Sequence, residues 1–383
     1  MISFFPALFL LFLIAIATSY CVTIVIRKIF FSIGILDRPH LYPVEGDRPP
    51  APYSLGVILW ITLLILSPLL FFLFDFNDVL SRRFIIFLAL GGLVTAISFL
   101  DDMDTIGKIG FSIPPWVRLL FQIAIGTVVG ITSIKISYLS NIFGEGIIFL
   151  DQYFSTFHIG DIGITVYYIP VLVTIFWYVL VMNALNWSDG IPGLTGGFSL
   201  VSFLILMGLA LKLYLLDATL PSQENSRFVL ALLMILIPTT FFLTRQDIHR
   251  TGLMGDSGTM MLAFSLATLS IIAWGKIATA IAVLWVYLID LFYVVSMRIL
   301  SGKNPMKGDR THHLHYRLME LGLSPSVTRN FIFALSFLFG VSAIFLDTNG
   351  KIILILMLGV IVVFLTKILT LMEKAWWRKP KQR

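Results

Sequence analysis

The sequence predicts an all-α polytopic membrane protein, a bundle of about 10–11 transmembrane helices. Its 383 residues are 58% hydrophobic and only 13% charged, and their mean hydropathy is +0.95. Soluble globular chains are about 45–50% apolar and about 25% charged. This composition disfavours a water-soluble enzyme, a disordered protein and a nucleic-acid-binding module. A disulfide-stabilised scaffold is excluded, because Cys21 is the only cysteine and cannot pair within the chain.

Long apolar segments are the second observation behind this fold class, because a spanning helix needs about 20 apolar residues. About eleven segments approach that length. They lie near 3–26, 54–74, 83–100, 116–134, 165–182, 196–216, 227–243, 257–273, 277–297, 329–346 and 351–371. The fourth and eighth are the weakest, since they carry Gly, Ser or Thr. No basic residue precedes the first segment and it is longer than a signal-peptide core, so a retained helix is expected.

Basic residues set the predicted orientation, because Lys and Arg collect in cytoplasmic loops. About three quarters of the 27 Lys and Arg residues fall in the loops after odd-numbered spans or in the C-terminal tail. We therefore expect a multi-pass protein of the cell (inner or plasma) membrane, with these loops and the C-terminus cytoplasmic and the N-terminus outside. The segment 135–165 would lie outside, as a loop or a short pair of strands. The net charge of +6 then indicates anionic lipid, with no nucleic-acid partner.

Polar clusters occupy the same predicted side of the membrane. Each begins at or just beyond the end of an apolar span, where charge avoids the cost of the bilayer centre. The clusters are 101–104, 183–190, 255–258 and 309–317. A helical bundle would therefore gather them into one cytoplasmic pocket.

Acidic residues in the first and third clusters suit a divalent cation. Adjacent carboxylates such as Asp101 and Asp102 repel each other and favour a cation or a proton. Mg²⁺ takes oxygen ligands and usually keeps waters and substrate phosphates. Asp256 opens a helix after Gly255, and free helix N–H groups attract phosphate. The alternatives are a solvated helix end for the acid pair and a simple N-cap for Asp256.

The other two clusters combine amide, carboxylate and basic groups. Asn183 and Asn186 are one helical turn apart, so their side chains suit a metal or a nucleotide edge; an Asn cap followed by a turn is the alternative. The histidine loop, 309–317, suits a diphosphate, although a solvated basic loop fits the same residues. Its spacing is not His-Glu-x-x-His, which disfavours a zinc protease. Asp290 lies within a span and is either functional or a paired structural acid.

Taken in order, these motifs resemble the polyprenyl-phosphate N-acetylhexosamine-1-phosphate transferases. That family includes enzymes that initiate O-antigen and teichoic-acid synthesis, the peptidoglycan phospho-N-acetylmuramoyl-pentapeptide transferase and a eukaryotic dolichol counterpart. The resemblance spans about residues 30–330. The residues that carry it are Asp101-Asp102, Asn183-Ala-Leu-Asn186-x-x-Asp189-Gly190-Ile-x-Gly193-Leu194, Gly255-Asp256-Ser-Gly258, Asp290 and Asp309-Arg310-x-His…His315.

The resemblance implies a single integral-membrane transferase domain over 1–383. Its implied reaction moves a sugar 1-phosphate, N-acetylglucosamine 1-phosphate above all, from a UDP-amino sugar to polyprenyl (undecaprenyl) phosphate. UMP leaves, and cell-envelope polysaccharide such as lipopolysaccharide is initiated. Mg²⁺ is the implied cofactor, with Mn²⁺ as the alternative ion. The implied roles are metal ligands for Asn186 and Asp256, catalytic acids for Asp101 and Asp102, and substrate binding for Asn183, Asp189, Arg118, Arg310, His313, His315 and Arg317.

The chain departs from the family pattern at several positions. Pro192 stands where the family usually has a second Asp, and Tyr316 replaces a His when the loop is aligned from Arg317. Segment 52–56 lacks a Pro-x-x-Gly-Gly ending, and about seven extra residues precede Arg118. These departures predict a divergent member and leave the sugar open.

Three alternatives remain. Arg317-Leu318, where the peptidoglycan enzyme would have a Pro-x-His-His-His run, favours an N-acetylglucosamine initiator over a phospho-N-acetylmuramoyl-pentapeptide transferase. A secondary transporter would need mid-membrane ionisable groups and paired interrupted helices. A catalytically inactive protein of the same fold is the third alternative. A CDP-alcohol phosphatidyltransferase is disfavoured, since its Asp-Gly-x-x-Ala-Arg run is absent. Pairing of two copies into a homodimer is left open.

Overall fold

A computed structural model describes residues 3–39, 48–141, 146–160, 162–217, 219–273, 277–304, 312–347, 349–361 and 364. This part of the chain is a helical bundle, which confirms the predicted all-α class. Its helices are α1 (Phe4–Ser32), α2 (Val57–Leu73), α3 (Asp78–Thr105), α4 (Pro115–Ile131), α5 (Tyr168–Ser188), α6 (Leu194–Leu216), α7 (Leu220–Ile248), α8 (Gly255–Ile272), α9 (Ile277–Leu300), α10 (Leu314–Glu320), α11 (Pro325–Phe345) and α12 (Asn349–Ile361).

Eight of the described helices are long and apolar enough to cross a membrane: α1, α3, α5, α6, α7, α8, α9 and α11. The remaining predicted spans coincide with shorter apolar helices, of which α2 and α4 have 17 residues each. The last predicted span, 351–371, is described only in part. Helix α10 was not predicted. It begins within the histidine loop, 309–317, and is too short to span a bilayer.

Successive helices from α1 to α9 run in alternating directions through the bundle. The ends of α1, α3, α5, α7 and α9 therefore lie together with the beginnings of α2, α4, α6 and α8. We call this the polar end, because it holds Asp101, Asn186 and Asp256. Backbone bonds from Leu55 N–H to the Leu253 carbonyl (2.9 Å) and from Gly56 N–H to the Met254 carbonyl (2.9 Å) join distant parts of the chain there.

Helix α8 is the central helix, and 89% of its 18 residues are buried inside the protein. It contacts α2, α3, α5, α6, α7 and α9. Small residues permit this packing, since close helix approach in membranes depends on Gly, Ser and Thr at the interface. A Cβ on Gly56 would lie 1.9 Å from the Gly258 nitrogen. The weak hydropathy of this segment thus reflects protein neighbours on all sides.

Two antiparallel hairpins lie between α4 and α5, at the opposite end of the bundle, which we call the distal end. They pair β1 (Tyr138–Ser140) with β2 (Ile147–Phe149) and β3 (Phe154–Ile159) with β4 (Ile162–Tyr167). Of the two expectations for segment 135–165, the structure therefore has the strands.

Candidate active site

Four predicted site residues meet at the polar end and form what we call the carboxylate cluster: Asp101, Arg118, Asn186 and Asp256. Arg118 Nη1 lies 2.7 Å from Asp101 Oδ2 and 3.5 Å from Asp256 Oδ2. Asn186 Nδ2 lies 3.3 Å from Asp256 Oδ1. The Asp101 and Asp256 carboxylates are therefore neighbours, since both lie within 3.5 Å of the same Arg118 nitrogen. Residues from α3, α4, α5 and α8 thus converge on one point.

The donor set of this cluster suits a hard cation. Two neighbouring carboxylates repel each other when both are charged. A bound cation, or a proton on one of them, relieves that repulsion. Beside Asp101, Arg118 and Asp256 lies a cavity of about 20 Å³, enough for one water-sized group. Among the described residues, no group of three or more His, Cys, Asp or Glu side chains is arranged to hold a metal. Mg²⁺ needs few protein ligands, because it keeps several waters and substrate phosphates.

Asp102 has surroundings unlike those of Asp101. Its Oδ1 accepts the N–H of Asp256 (2.7 Å), and its Oδ2 accepts the N–H of Ser257 (3.0 Å). The residue is only 1% exposed. Asp102 therefore takes two of the first N–H groups of α8, and these two are not free to attract phosphate. Of the two predicted catalytic acids, Asp101 therefore faces the cluster, whereas Asp102 bonds the first turn of α8.

Ser54 is a residue of this site that the sequence did not reveal. Its hydroxyl donates to Asp102 Oδ2 (2.5 Å) and lies 2.8 Å from the Ser257 hydroxyl. The side chain is completely buried, and its φ of 66° is left-handed, a conformation that favours glycine. The only sequence signal was the atypical ending of segment 52–56. Ser54 thus anchors the carboxylate that caps α8.

An apolar groove begins at the carboxylate cluster. It has a volume of about 260 Å³, and α4, α5 and α9 supply most of its walls. Arg118, Asn183 and Asn186 line it together with Phe176 and Phe292. The Asn183 amide donates to the Gln122 side chain (2.6 Å) and to the Val179 carbonyl (2.8 Å). The groove therefore joins charged and amide groups to a long apolar surface.

Asp189 lies at the turn between α5 and α6 and is exposed to solvent. Thr259 Oγ1 donates to its carboxylate (3.2 Å). Asp247 Oδ2 accepts the N–H of Gly193 (2.5 Å), so α7 brings a second carboxylate to a turn where position 192 is Pro. The sequence did not predict this contribution.

The histidine loop is described from His312 onward, and Arg310 lies outside the described residues. His313 Nδ1 is 2.6 Å from Asp290 Oδ2, and Asp290 Oδ1 accepts the N–H of Leu314 (2.7 Å). Both side chains are buried. Of the two alternatives for Asp290, the paired acid matches these contacts, since it orients a histidine and caps α10.

His315 brings the loop against the turn that follows α5. Its ring stacks on His313 with 5.6 Å between centroids, and the buried Nε2 has no hydrogen-bond partner in the described structure. A Cβ on Gly190 would lie 2.0 Å from that atom. Desolvation lowers the pKa of His315 to about 4, so the ring is neutral near pH 7.

Arg317 and Tyr316 complete the described part of the loop. The Tyr316 hydroxyl lies 3.5 Å from the Gly190 carbonyl. Arg317 is 4% exposed, and its guanidinium packs 5.5 Å from the ring of Tyr293 and donates to that hydroxyl (3.4 Å). Arg317 thus joins the end of the histidine loop to Tyr293 of α9.

Residues 84–274, about half of the chain, match the family model described as glycosyl transferase family 4. The chain belongs to glycosyl transferase family 4. The matched region of this family 4 protein runs from α3 through α8 and includes the whole carboxylate cluster. Ser54, Asp290 and the histidine loop lie outside it.

Several relatives of this family 4 protein are similar over most of their length. One is the "Probable undecaprenyl-phosphate N-acetylglucosaminyl 1-phosphate transferase" of Bacillus subtilis, 23% identical over 362 residues, which cover 92% of this chain and 89% of the relative. The "Undecaprenyl-phosphate alpha-N-acetylglucosaminyl 1-phosphate transferase" of Escherichia coli K12 is 25% identical over 305 residues, 78% and 72% of the two chains. The "Decaprenyl-phosphate N-acetylglucosaminephosphotransferase" of Mycolicibacterium smegmatis is 25% identical over 260 residues, 61% and 56%.

Proposed function

We propose that this membrane enzyme transfers N-acetylglucosamine 1-phosphate from a UDP-sugar to polyprenyl phosphate and releases UMP. The observation that carries the proposal is the meeting of Asp101, Arg118, Asn186 and Asp256 beside an apolar groove. The named relatives act on N-acetylglucosaminyl 1-phosphate and undecaprenyl or decaprenyl phosphate. In the reaction, an oxygen of the lipid phosphate bonds to the β-phosphorus of the UDP-sugar. The bond from that phosphorus to the UMP oxygen breaks, and UMP leaves.

The apolar groove is the proposed site of the lipid acceptor. A polyprenyl phosphate combines a long apolar chain with an anionic head, and the groove combines exposed Phe176 and Phe292 with Arg118. About one-third of the Arg118 side chain is exposed, and its guanidinium lies between two carboxylates. It can therefore bind a lipid phosphate while it keeps its contacts with Asp101 and Asp256. Arg118 also stabilises charge that spreads over the transferring phosphoryl group.

Asp101, Asp256 and Asn186 would hold Mg²⁺ or Mn²⁺. Rotation of the Asn186 amide exchanges its nitrogen and oxygen, so the side chain can present an oxygen ligand. The ion would neutralise and polarise the pyrophosphate. The protein's own part is to keep the two carboxylates in contact, and Asp102 and Ser54 do so by fixing the first turn of α8 against α3.

The turn at Asp189 and Gly190, with His315 and Tyr316 against it, is the proposed site of the nucleotide sugar. A neutral imidazole with one unpaired nitrogen suits an uncharged hydrogen-bonding group such as a uracil edge or a sugar hydroxyl. Asp189 is open to solvent beside it. His313 and Asp290 would position His315 through the stacked rings.

The distribution of basic residues supports a cytoplasmic polar end, an outer N-terminus and a cytoplasmic C-terminus in the cell membrane. We further propose that the whole chain forms one transferase domain. A homodimer stays a prediction.

Incubation of the purified protein with Mg²⁺, UDP-N-acetylglucosamine and undecaprenyl phosphate tests the proposal by release of UMP. Asp256→Asn should lower the rate at least about 100-fold, as loss of a charge-stabilising group does. Asp104→Asn is the matched control, because Asp104 belongs to the same helix end but not to the cluster. UDP-N-acetylmuramoyl-pentapeptide tests the peptidoglycan alternative. Absence of UMP with every UDP-sugar would refute the proposal, and substrate uptake into liposomes would then favour a transporter.

A further inference from the structure

A second polar pocket lies at the distal end, remote from the carboxylate cluster. Arg83, in the first turns of α3, lines it, whereas Asp101 lies near the other end of the same helix. Their separation of 18 positions (101 minus 83) corresponds to about 27 Å at 1.5 Å per residue. That distance approaches the roughly 30 Å thickness of a bilayer's hydrocarbon core. The two polar sites therefore belong to opposite faces of the membrane.

Arg83 is held in a fixed orientation in this distal pocket. Its Nη1 donates to the Asn225 side chain (2.8 Å), and its Nη2 donates to the Ser133 carbonyl (2.9 Å). Nε lies 3.3 Å from the Ser133 hydroxyl. These contacts tie α3 to α7 and to the segment after α4. A guanidinium fixed in this way needs no reorganisation to receive an anion.

Lys135 supplies a second cation to the same pocket. Its ammonium lies 3.6 Å from the centre of the Tyr167 ring, at the end of β4. Desolvation lowers the pKa of Lys135, and the charge of Asp151 opposes that shift. Asp151 does not line the pocket. Lys135 is therefore partly desolvated at a place where an anion would stabilise its charge.

The remaining lining is uncharged. Ser137 and Tyr138 line the pocket together with Ile134, Ile136 and Ile272, and each of these isoleucines is at most 2% exposed. None of the described residues that line the pocket is acidic. Two cations without a facing carboxylate, about one membrane thickness from Asp101, match the anionic headgroup of a membrane lipid.

We propose that this distal pocket binds the phosphate headgroup of an anionic membrane lipid, in the leaflet opposite to the carboxylate cluster. Its volume of about 170 Å³ is below the 300–1,000 Å³ of sites for drug-sized ligands. The pocket is thus large enough for a headgroup phosphate. A lipid bound here joins α3, α7 and the segment before β1, and its effect is on stability, independent of the proposed transfer reaction.

Thermal unfolding of the full-length protein in a neutral detergent tests the proposal. Dioctanoyl phosphatidylglycerol should raise Tm with increasing concentration, because a ligand that binds the folded state stabilises it. Dioctanoyl phosphatidylcholine and inorganic phosphate should raise Tm less. Lys135→Gln should weaken the apparent affinity for phosphatidylglycerol about fivefold, as expected for one cation near an anionic headgroup. Lys135→Arg should retain it.

Arg82→Gln is the matched control, because Arg82 is the exposed neighbour of Arg83 and does not line the pocket. Equal responses of the parent and Lys135→Gln would overturn the proposal, as would equal responses to the two lipids. An equal effect of inorganic phosphate would overturn the lipid assignment. Native mass spectrometry of the parent gives a test that needs no variant, and preferential retention of phosphatidylglycerol over phosphatidylcholine is the expected result.

Discussion

Replacement of Ser54 tests whether the cap on α8 holds the site together. Ser54→Ala removes the hydroxyl that donates to Asp102 (2.5 Å) and keeps a Cβ at a φ of 66°. Loss of this donor leaves a buried acceptor without one of its partners, which costs about 1–3 kcal/mol. We therefore expect Ser54→Ala to lower the free energy of unfolding by about 2 kcal/mol.

Ser54→Gly separates the hydrogen bond from the backbone strain. It removes the same hydroxyl, but glycine adopts the left-handed conformation without the cost of about 1–2 kcal/mol that a Cβ brings. The Gly variant should therefore be more stable than the Ala variant by roughly 1 kcal/mol. Both should slow UMP release by about tenfold, because Asp256 lies in the turn of α8 that Asp102 and Ser54 anchor, and a misplaced reactive group costs rate.

The assay is thermal unfolding of the three proteins in one detergent, together with steady-state UMP release. The expected order of Tm is parent, Ser54→Gly, Ser54→Ala. Ser67→Ala is the control, because its exposed hydroxyl bonds only within α2 (2.8 Å). The reasoning is wrong if Ser54→Ala matches the parent in Tm and rate, or if the two Ser54 variants are equally stable.

Further predictions concern the cluster and the histidine loop. Arg118→Lys keeps the charge but loses the planar fork between two carboxylates, so kcat/KM for the lipid phosphate should fall about 10–100-fold in steady-state kinetics; an unchanged value would exclude Arg118 from acceptor binding. Gly190→Ala places a Cβ 2.0 Å from His315 Nε2, so KM for the UDP-sugar should rise more than KM for the lipid. Asp290→Asn should lower Tm and kcat together, since it weakens the partner of His313. Because burial lowers the pKa of His315 to about 4 from an ordinary value near 6.5, protonation opposes folding, and stability should be lost as pH falls from about 6.5 towards 4. His315→Gln should flatten that part of the Tm profile.

The bundle was predictable because bilayer thickness fixes the length of an apolar segment. The convergence of Asp101, Asn186 and Asp256 was predictable as well, because alternating helices return every second loop to the same end. Helix α8 was a weak prediction, and the structure gives the reason: its neighbours are helices, so packing rather than lipid sets its composition.

Contacts between distant segments could not be predicted. The sequence gives no reason to assign different roles to two adjacent acids. Only the contact with α8 distinguishes Asp102 from Asp101. Ser54 and Asp247 were missed for the same reason, since each acts on a residue far away in the chain. The resemblance to a family assigned the histidines as a group, and only the burial seen in the structure shows that the pKa of His315 is lowered.

Among the eight long apolar helices that the structure describes, α8 has the lowest mean hydropathy, 1.2 against 2.6 for α1. The polarity that lets it pack closely therefore also weakens its tendency to enter lipid unaided. Five of the helices it contacts, α2, α3, α5, α6 and α7, precede it in the chain. During biosynthesis these partners leave the ribosome first and can receive α8 as it emerges. Insertion of this segment therefore depends on assembly with earlier helices, and the order of elements in the gene matches that requirement.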